Sequence, residues 1–164
     1  MKFTIIFFAI CCGVLQIGFA QNVSMNVLTK DAGIVKKGNT IFFEVTINNT
    51  DQNGNIGTYK LKPQVTVPDS TVVIEKEGHQ LPSGWKIISN NGKVITFSNA
   101  KDIIASTDAR TILIALKGVH TGGPVIISGH MYFSNGQFPG NEPGVLKGDI
   151  SDDNYSTSSC KVVN

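Results

Sequence analysis

The chain has 164 residues, with 14 Lys and Arg against 12 Asp and Glu, a formal net charge of +2. Only 16% of it is charged, and no basic cluster interrupts it, which argues against nucleic acid or an anionic membrane as partner. A hydrophobic share of 41% and three cysteines place it among chains held by a buried core.

The first segment, Met1–Ala20, reads as a secretory signal peptide. Lys2 is a short positive region, Phe3–Ile17 is apolar, and Gly18 and Ala20 are the small residues before a cut at Gln21. The apolar run is too short and wrongly flanked for a membrane span. A lipoprotein signal through Cys11 or Cys12 is a weaker alternative, because apolar sequence continues past both. Residues 21–164 then form one domain with Cys160 as the only cysteine, so no internal disulfide is available. Cys160 reads as a small buried residue on the last strand, or as a thiol that pairs two chains.

A first strand region within Gln21–Val35 centres on Met25 and Val27. Thr40–Asn49 follows, with Ile41, Phe43, Val45 and Ile47 on one face and Phe42, Glu44, Thr46 and Asn48 on the other. Thr58–Val67 alternates again around Tyr59, Leu61, Val65 and Val67, and Pro63 inside it predicts an edge position or a bulge. Thr71–Glu75 is a short β-branched strand. Trp85–Ser89 and Lys93–Phe97 flank Asn90-Asn91-Gly92, which predicts a hairpin closed by a type I′ turn. Asp102–Ala109 reads as a short helical turn crossing between sheets, and Thr111–Leu116 as a compact strand. Pro124–Phe133 alternates Val125, Ile127, Met131 and Phe133 against Ile126, Ser128, His130 and Tyr132, with Gly129 as a candidate bulge. After a Gly/Pro/Asp-rich connection, Tyr155–Val163 is the final strand.

No segment of about a dozen residues keeps a helical period. The prediction is an all-β, two-sheet sandwich of roughly seven to nine strands. Gly38 with the following strand and Asn48-Asn49-Thr50, Leu81-Pro82-Ser83-Gly84-Trp85, and Gly148–Thr157 supply three motifs in order. Together they resemble a conserved-repeat, domain-of-unknown-function immunoglobulin-like β-sandwich module of bacterial secreted and cell-surface proteins. The resemblance implies an immunoglobulin-like fold and no catalytic site, because such a module is a scaffold. Such modules usually occur in tandem, whereas this chain reads as one module.

Several side chains are candidates for chemistry. Asp149, Asp152 and Asp153, beside Asn154, crowd hard oxygen donors that suit Ca²⁺, although the spacing is not that of an EF-hand. The alternative is a solvated turn in which these side chains bond their own backbone. Trp85, with Tyr59 and Tyr132, is a candidate aromatic platform for a sugar ring, weighed against packing in the core. Phe42 is an aromatic on the face expected to be wet, a candidate partner contact. His79, His120 and His130 have no metal-ligand spacing, and no nucleophile–base arrangement is visible. Asn22, Asn48 and Asn154 each open a glycosylation sequon, which counts only in a glycosylating host.

The functional expectation is a secreted or cell-surface, non-catalytic module for adhesion, matrix structure or accessory protein binding, with no cofactor unless Ca²⁺ occupies the acidic loop. Its partner would be a protein or glycan at the cell surface, with a possible dimer through Cys160. The alternative is a carbohydrate-binding module that uses Trp85 and polar loop groups.

Overall fold

A computed structural model describes residues 22–52, 54–68, 70–134, 143–144 and 151–164. Met1–Ala20, the segment expected to be a signal peptide, and Asp149 lie outside them. The elements are β1 (Val23–Thr29), a 3-10 turn (Asp31–Gly33), β2 (Ile34–Lys36), β3 (Thr40–Asn49), β4 (Leu61–Thr66) and β5 (Val72–Ile74). Then come β6 (Lys86–Asn90), β7 (Val94–Ser98), β8 (Ala109–Gly118), β9 (Gly122–Ser134), β10 (Pro143–Gly144), a second 3-10 turn (Ser151–Asp153) and β11 (Tyr155–Val163).

The period-two pattern of β3 decides its orientation. Ile41, Phe43, Val45 and Ile47 are buried, and the residues between them are half-exposed. β3 is the second strand of a four-stranded sheet ordered β1-β3-β8-β5. The facing sheet has seven strands, ordered β2-β11-β9-β4-β7-β6, with β10 against β9. Val125, Ile127, Met131 and Phe133 of β9 enter the same core as the β3 face, as their alternation predicts.

With β1, β3, β8 and β5 as strands A, B, E and D, and β4, β9 and β11 as C, F and G, the chain order and sheet membership are those of an immunoglobulin constant-type sandwich. Three additions enlarge the second sheet. β2 pairs in parallel with β11, the β6–β7 hairpin lies beside β4, and β10 pairs with the end of β9.

Five local expectations need correction. Pro63 is inside the sheet, because β4 pairs with both β9 and β7. The backbone N–H groups of Leu61 and Val67 both point to the β7 side, and by alternation the Pro63 nitrogen faces that way too. Registered pairing to β7 starts only at Gln64, and Asn99 Oδ1 takes the Leu61 N–H beyond it. The missing proline donor therefore falls where the ladder has already ended. Tyr59 is outside the strand, in a turn with φ of 59°. The hairpin forms, but only Gly92 has a positive φ, so the turn is not type I′. Asn91 Oδ1 instead accepts from the N–H groups of Lys93 and Val94. The 102–108 crossover contains no helical turn; Ile104 bridges Ile56 and Thr107 turns with φ of 61°.

Gly129 is not a bulge, since β9 runs in register past it with Val65 on one side and Ser156 on the other. Its role is close approach. A Cβ there would lie 2.7 Å from Met25 Cε and nearer still to Val27 Cγ2 on the facing sheet.

Candidate functional site

Two buried asparagines hold one end of the sandwich. Asn49 Nδ2 donates to the carbonyls of Gly54, Ile104 and Ala105, while its Oδ1 accepts from Asp51 N–H. Asn99 Nδ2 donates to Gly57 and Asp102 carbonyls, and its Oδ1 accepts from Leu61 N–H. Loops that carry unpaired backbone groups into the interior are thereby satisfied.

Trp85 belongs to this end. It is 8% exposed and its indole Nε1–H donates to Asp102 Oδ2 at 2.7 Å. Asp102 in turn accepts from Arg110 Nε at 2.7 Å and Nη2 at 3.2 Å, and Arg110 also pairs with Asp108. Hydrogen bonds from Arg110 and then from Ala109 N–H hold the Asp108 carboxyl below the usual carboxylate range. The carboxylates of Asp102 and Asp108 hold Arg110 above its ordinary value. Packed in the core and pinned by Asp102, Trp85 presents no open face to a sugar, which corrects its candidacy as a ligand contact.

Phe42 lies on the outer face of the four-stranded sheet, half-buried and paired with Ala115 of β8. Nearby, a cleft of about 370 Å³ is lined by Lys30, Glu44, Arg110 and Leu113. Its charges are already matched, Lys30 to Glu44 at 3.3 Å and Arg110 to its two aspartates. A cleft of about 740 Å³ lies between Val73–Glu77 and the hairpin tip Asn90–Gly92.

Asp152 is exposed, and Asp153 is half-buried and accepts from Asn22 Nδ2 at 3.4 Å. Among the described residues no three His, Cys, Asp or Glu side chains form a metal-binding group. The expected calcium loop depends on Asp149, outside that set. Cys160 is 2% exposed on the inner face of β11, where burial pushes its thiol up to about 11. A disulfide to a second chain would require that strand to leave the sandwich, which corrects the dimer expectation.

His79 has a structural role that its loop position concealed. Its Nδ1 accepts the Ala115 N–H at 3.1 Å, so the proton sits on Nε2, which faces Glu75 carbonyl at 2.9 Å. The ring fills the gap along the β8 edge between β5 and the Gln80–Leu113 bridge.

Among the described residues, the outer face of the seven-stranded sheet carries exposed aromatic side chains. Tyr155 of β11 is directly across from His130 of β9, and their ring centroids are 4.4 Å apart. Tyr132, two residues along β9, stacks with His130 at 5.9 Å. Tyr155 is 50% exposed and Tyr132 36%. Lys62 lies across from Tyr132 and Gln64 across from His130. Gln64 Nε2 is bonded to Thr96 Oγ1, which fixes its amide. The result is a rigid aromatic strip crossing two strands, flanked by amide, hydroxyl and ammonium groups. Tyr132 was legible as an outward aromatic, but Tyr155 and His130 could join it only once β11 was known to pair with β9.

No family model matches the chain, and no curated protein does. Solved structures do share its fold. A cohesin module from a Clostridium perfringens family 33 glycoside hydrolase is 13% identical with a TM-score of 0.57, the match covering 86% of this chain and 98% of that one. A CARDB domain from Pyrococcus furiosus, solved with di-metal ions, is 12% identical with a TM-score of 0.54, covering 87% and 89%. The major pilin subunit BcpA of Bacillus cereus is 11% identical with a TM-score of 0.51, covering 87% of this chain and 39% of that one. At these identities the likeness is one of fold, and it agrees with the strand order: the chain is an immunoglobulin-like β-sandwich.

Proposed function

We propose that the chain is a secreted, non-catalytic immunoglobulin-like module that works by surface contact at the cell envelope or matrix. The observation that carries this reading is the Tyr132–His130–Tyr155 strip. Exposed aromatic rings locked across two strands are contact groups that lose little freedom on binding. The sandwich beneath holds them rigid, and the half-buried Asp102–Arg110 pair with Trp85 and the asparagine staples spend their polar groups on the fold itself. The same fold in a pilin subunit and a cohesin module supports a role in surface assembly.

The test is retention of the purified chain on envelope and matrix material, comparing Tyr132→Ala/Tyr155→Ala with Leu28→Ser on the opposite sheet. The first variant should lose most retention and the second little, with unchanged unfolding midpoints. Equal retention of all three proteins would remove this face as the contact surface.

A further inference from the structure

The two outer faces differ in charge as well as in shape. None of the seven strands of the larger sheet contains an Asp or Glu, yet they carry Lys36, Lys62, Lys86 and Lys161. The smaller sheet carries Glu44, already paired with Lys30, Arg110, already paired with Asp102 and Asp108, and the exposed Lys117. Among the described residues no carboxylate lies within ion-pair distance of Lys62, the lysine beside the aromatic strip.

We propose that this face binds an acidic polysaccharide chain, whose sugar rings lie on the exposed Tyr155 and Tyr132 and whose carboxylates meet Lys62. The proposal deepens the surface-contact reading and rests on it. A pyranose ring offers a flat C–H face that packs on an aromatic ring, and hydroxyls that bond amide and hydroxyl groups at its rim. Gln64 and Thr157 supply such groups beside the strip. The ring centroids of Tyr155 and Tyr132 lie 4.4 and 5.9 Å from that of His130 between them in the strand register. The strip is thus long enough to seat more than one ring of a chain. Lysines without carboxylates on its strands favour a polyanion over a basic partner, with Asp152 and Asp153 confined to the turn before β11. Neither of the two clefts described above is lined by residues of this strip.

The experiment measures binding of the full chain to polygalacturonate, to its fully methyl-esterified form and to poly-glutamate. Polygalacturonate should bind best, the ester more weakly, and poly-glutamate least, because it has charge without rings. Tyr132→Ala and Tyr155→Ala should each weaken polygalacturonate binding roughly three- to tenfold. Lys62→Gln should weaken it by about threefold and flatten its salt dependence, leaving binding of the ester unchanged. All three side chains are on the surface, so circular dichroism and unfolding midpoints should stay as in the parent. Equal binding of poly-glutamate, equal binding of the ester, or indifference to both tyrosine substitutions would overturn the proposal. Retention on envelope material lost with the tyrosines, while every polysaccharide is ignored, would leave the contact reading intact and this one refuted. Loss of that retention through Ile126→Ser instead would point to a protein partner on the apolar end of the face.

Discussion

At Gly129 the two sheets approach more closely than a side chain permits. Its missing Cβ leaves room for Val27 and Met25 of β1, which cross the core from the opposite sheet. Gly129→Ala should therefore cost about 1–3 kcal/mol by overpacking. Met25 can swing its terminal methyl aside, but Val27 is branched at Cβ and stiff. Val27→Ala made alone should also destabilise, by emptying a fully buried position. Made together, the two should cost less than their sum, as urea unfolding of all four members of the cycle would reveal. Additive costs would mean that the contact does not set the sheet spacing. The sequence marked Gly129 as unusual without saying why, because its neighbours lie about a hundred positions away. The same distance hid Asn49 and Asn99. Asparagine in a polar run reads as loop, and nothing local reveals a carbonyl partner 55 positions on. Trp85 had two readings for this reason, and its Asp102 partner decides for the core.

Strands were the most legible level. β3 and β11 match their predicted spans, and in β3 clean alternation leaves one register that buries the apolar set. Pairing order was less legible, since Pro63 and Gly129 carry signals that depend on which neighbour stands beside them. One element had no signal at all, the seam between β1 and β11. The outer edge of β1 would expose backbone donors, and the inward half of β11 meets it with serines. Ser156 Oγ accepts from Val27 N–H at 3.0 Å, and Ser158 Oγ accepts from Thr29 N–H at 3.1 Å. Ser158 and Thr29 hydroxyls are also bonded at 2.6 Å. Polar residues at inward positions thus close an edge that would otherwise invite pairing with another chain. Ser156→Ala and Ser158→Ala should each cost about 1 kcal/mol. Amide exchange should quicken at Val27 for the first and at Thr29 for the second. Exchange unchanged at both amides would show that the seam is sealed by packing alone.

Both sheets contribute to one continuous cluster of buried side chains, from Val23 through Val162, so the molecule should unfold as a single unit. Two built-in probes lie far apart in it, Trp85 at the crossover end and Cys160 on β11, and each is buried. In a Cys11→Ser/Cys12→Ser background, tryptophan fluorescence and thiol labelling should report the same urea midpoint. Cys160 also gives the whole molecule a pH dependence whose sign follows from its burial. Its thiol titrates near 9.0 when unfolded and at about 11 when folded, because burial disfavours the thiolate. A raised folded value means a contribution that is complete below pH 9 and is lost as pH climbs toward 11. Other side chains contribute to the parent curve as well, so that curve alone does not isolate the thiol. Cys160→Ala does, because it removes the thiol and leaves the other groups. Between pH 8 and pH 11 the parent should lose about 2 kcal/mol more stability than the variant. Parallel curves would mean that the folded protein admits the thiolate, and that β11 is more loosely seated than its burial implies.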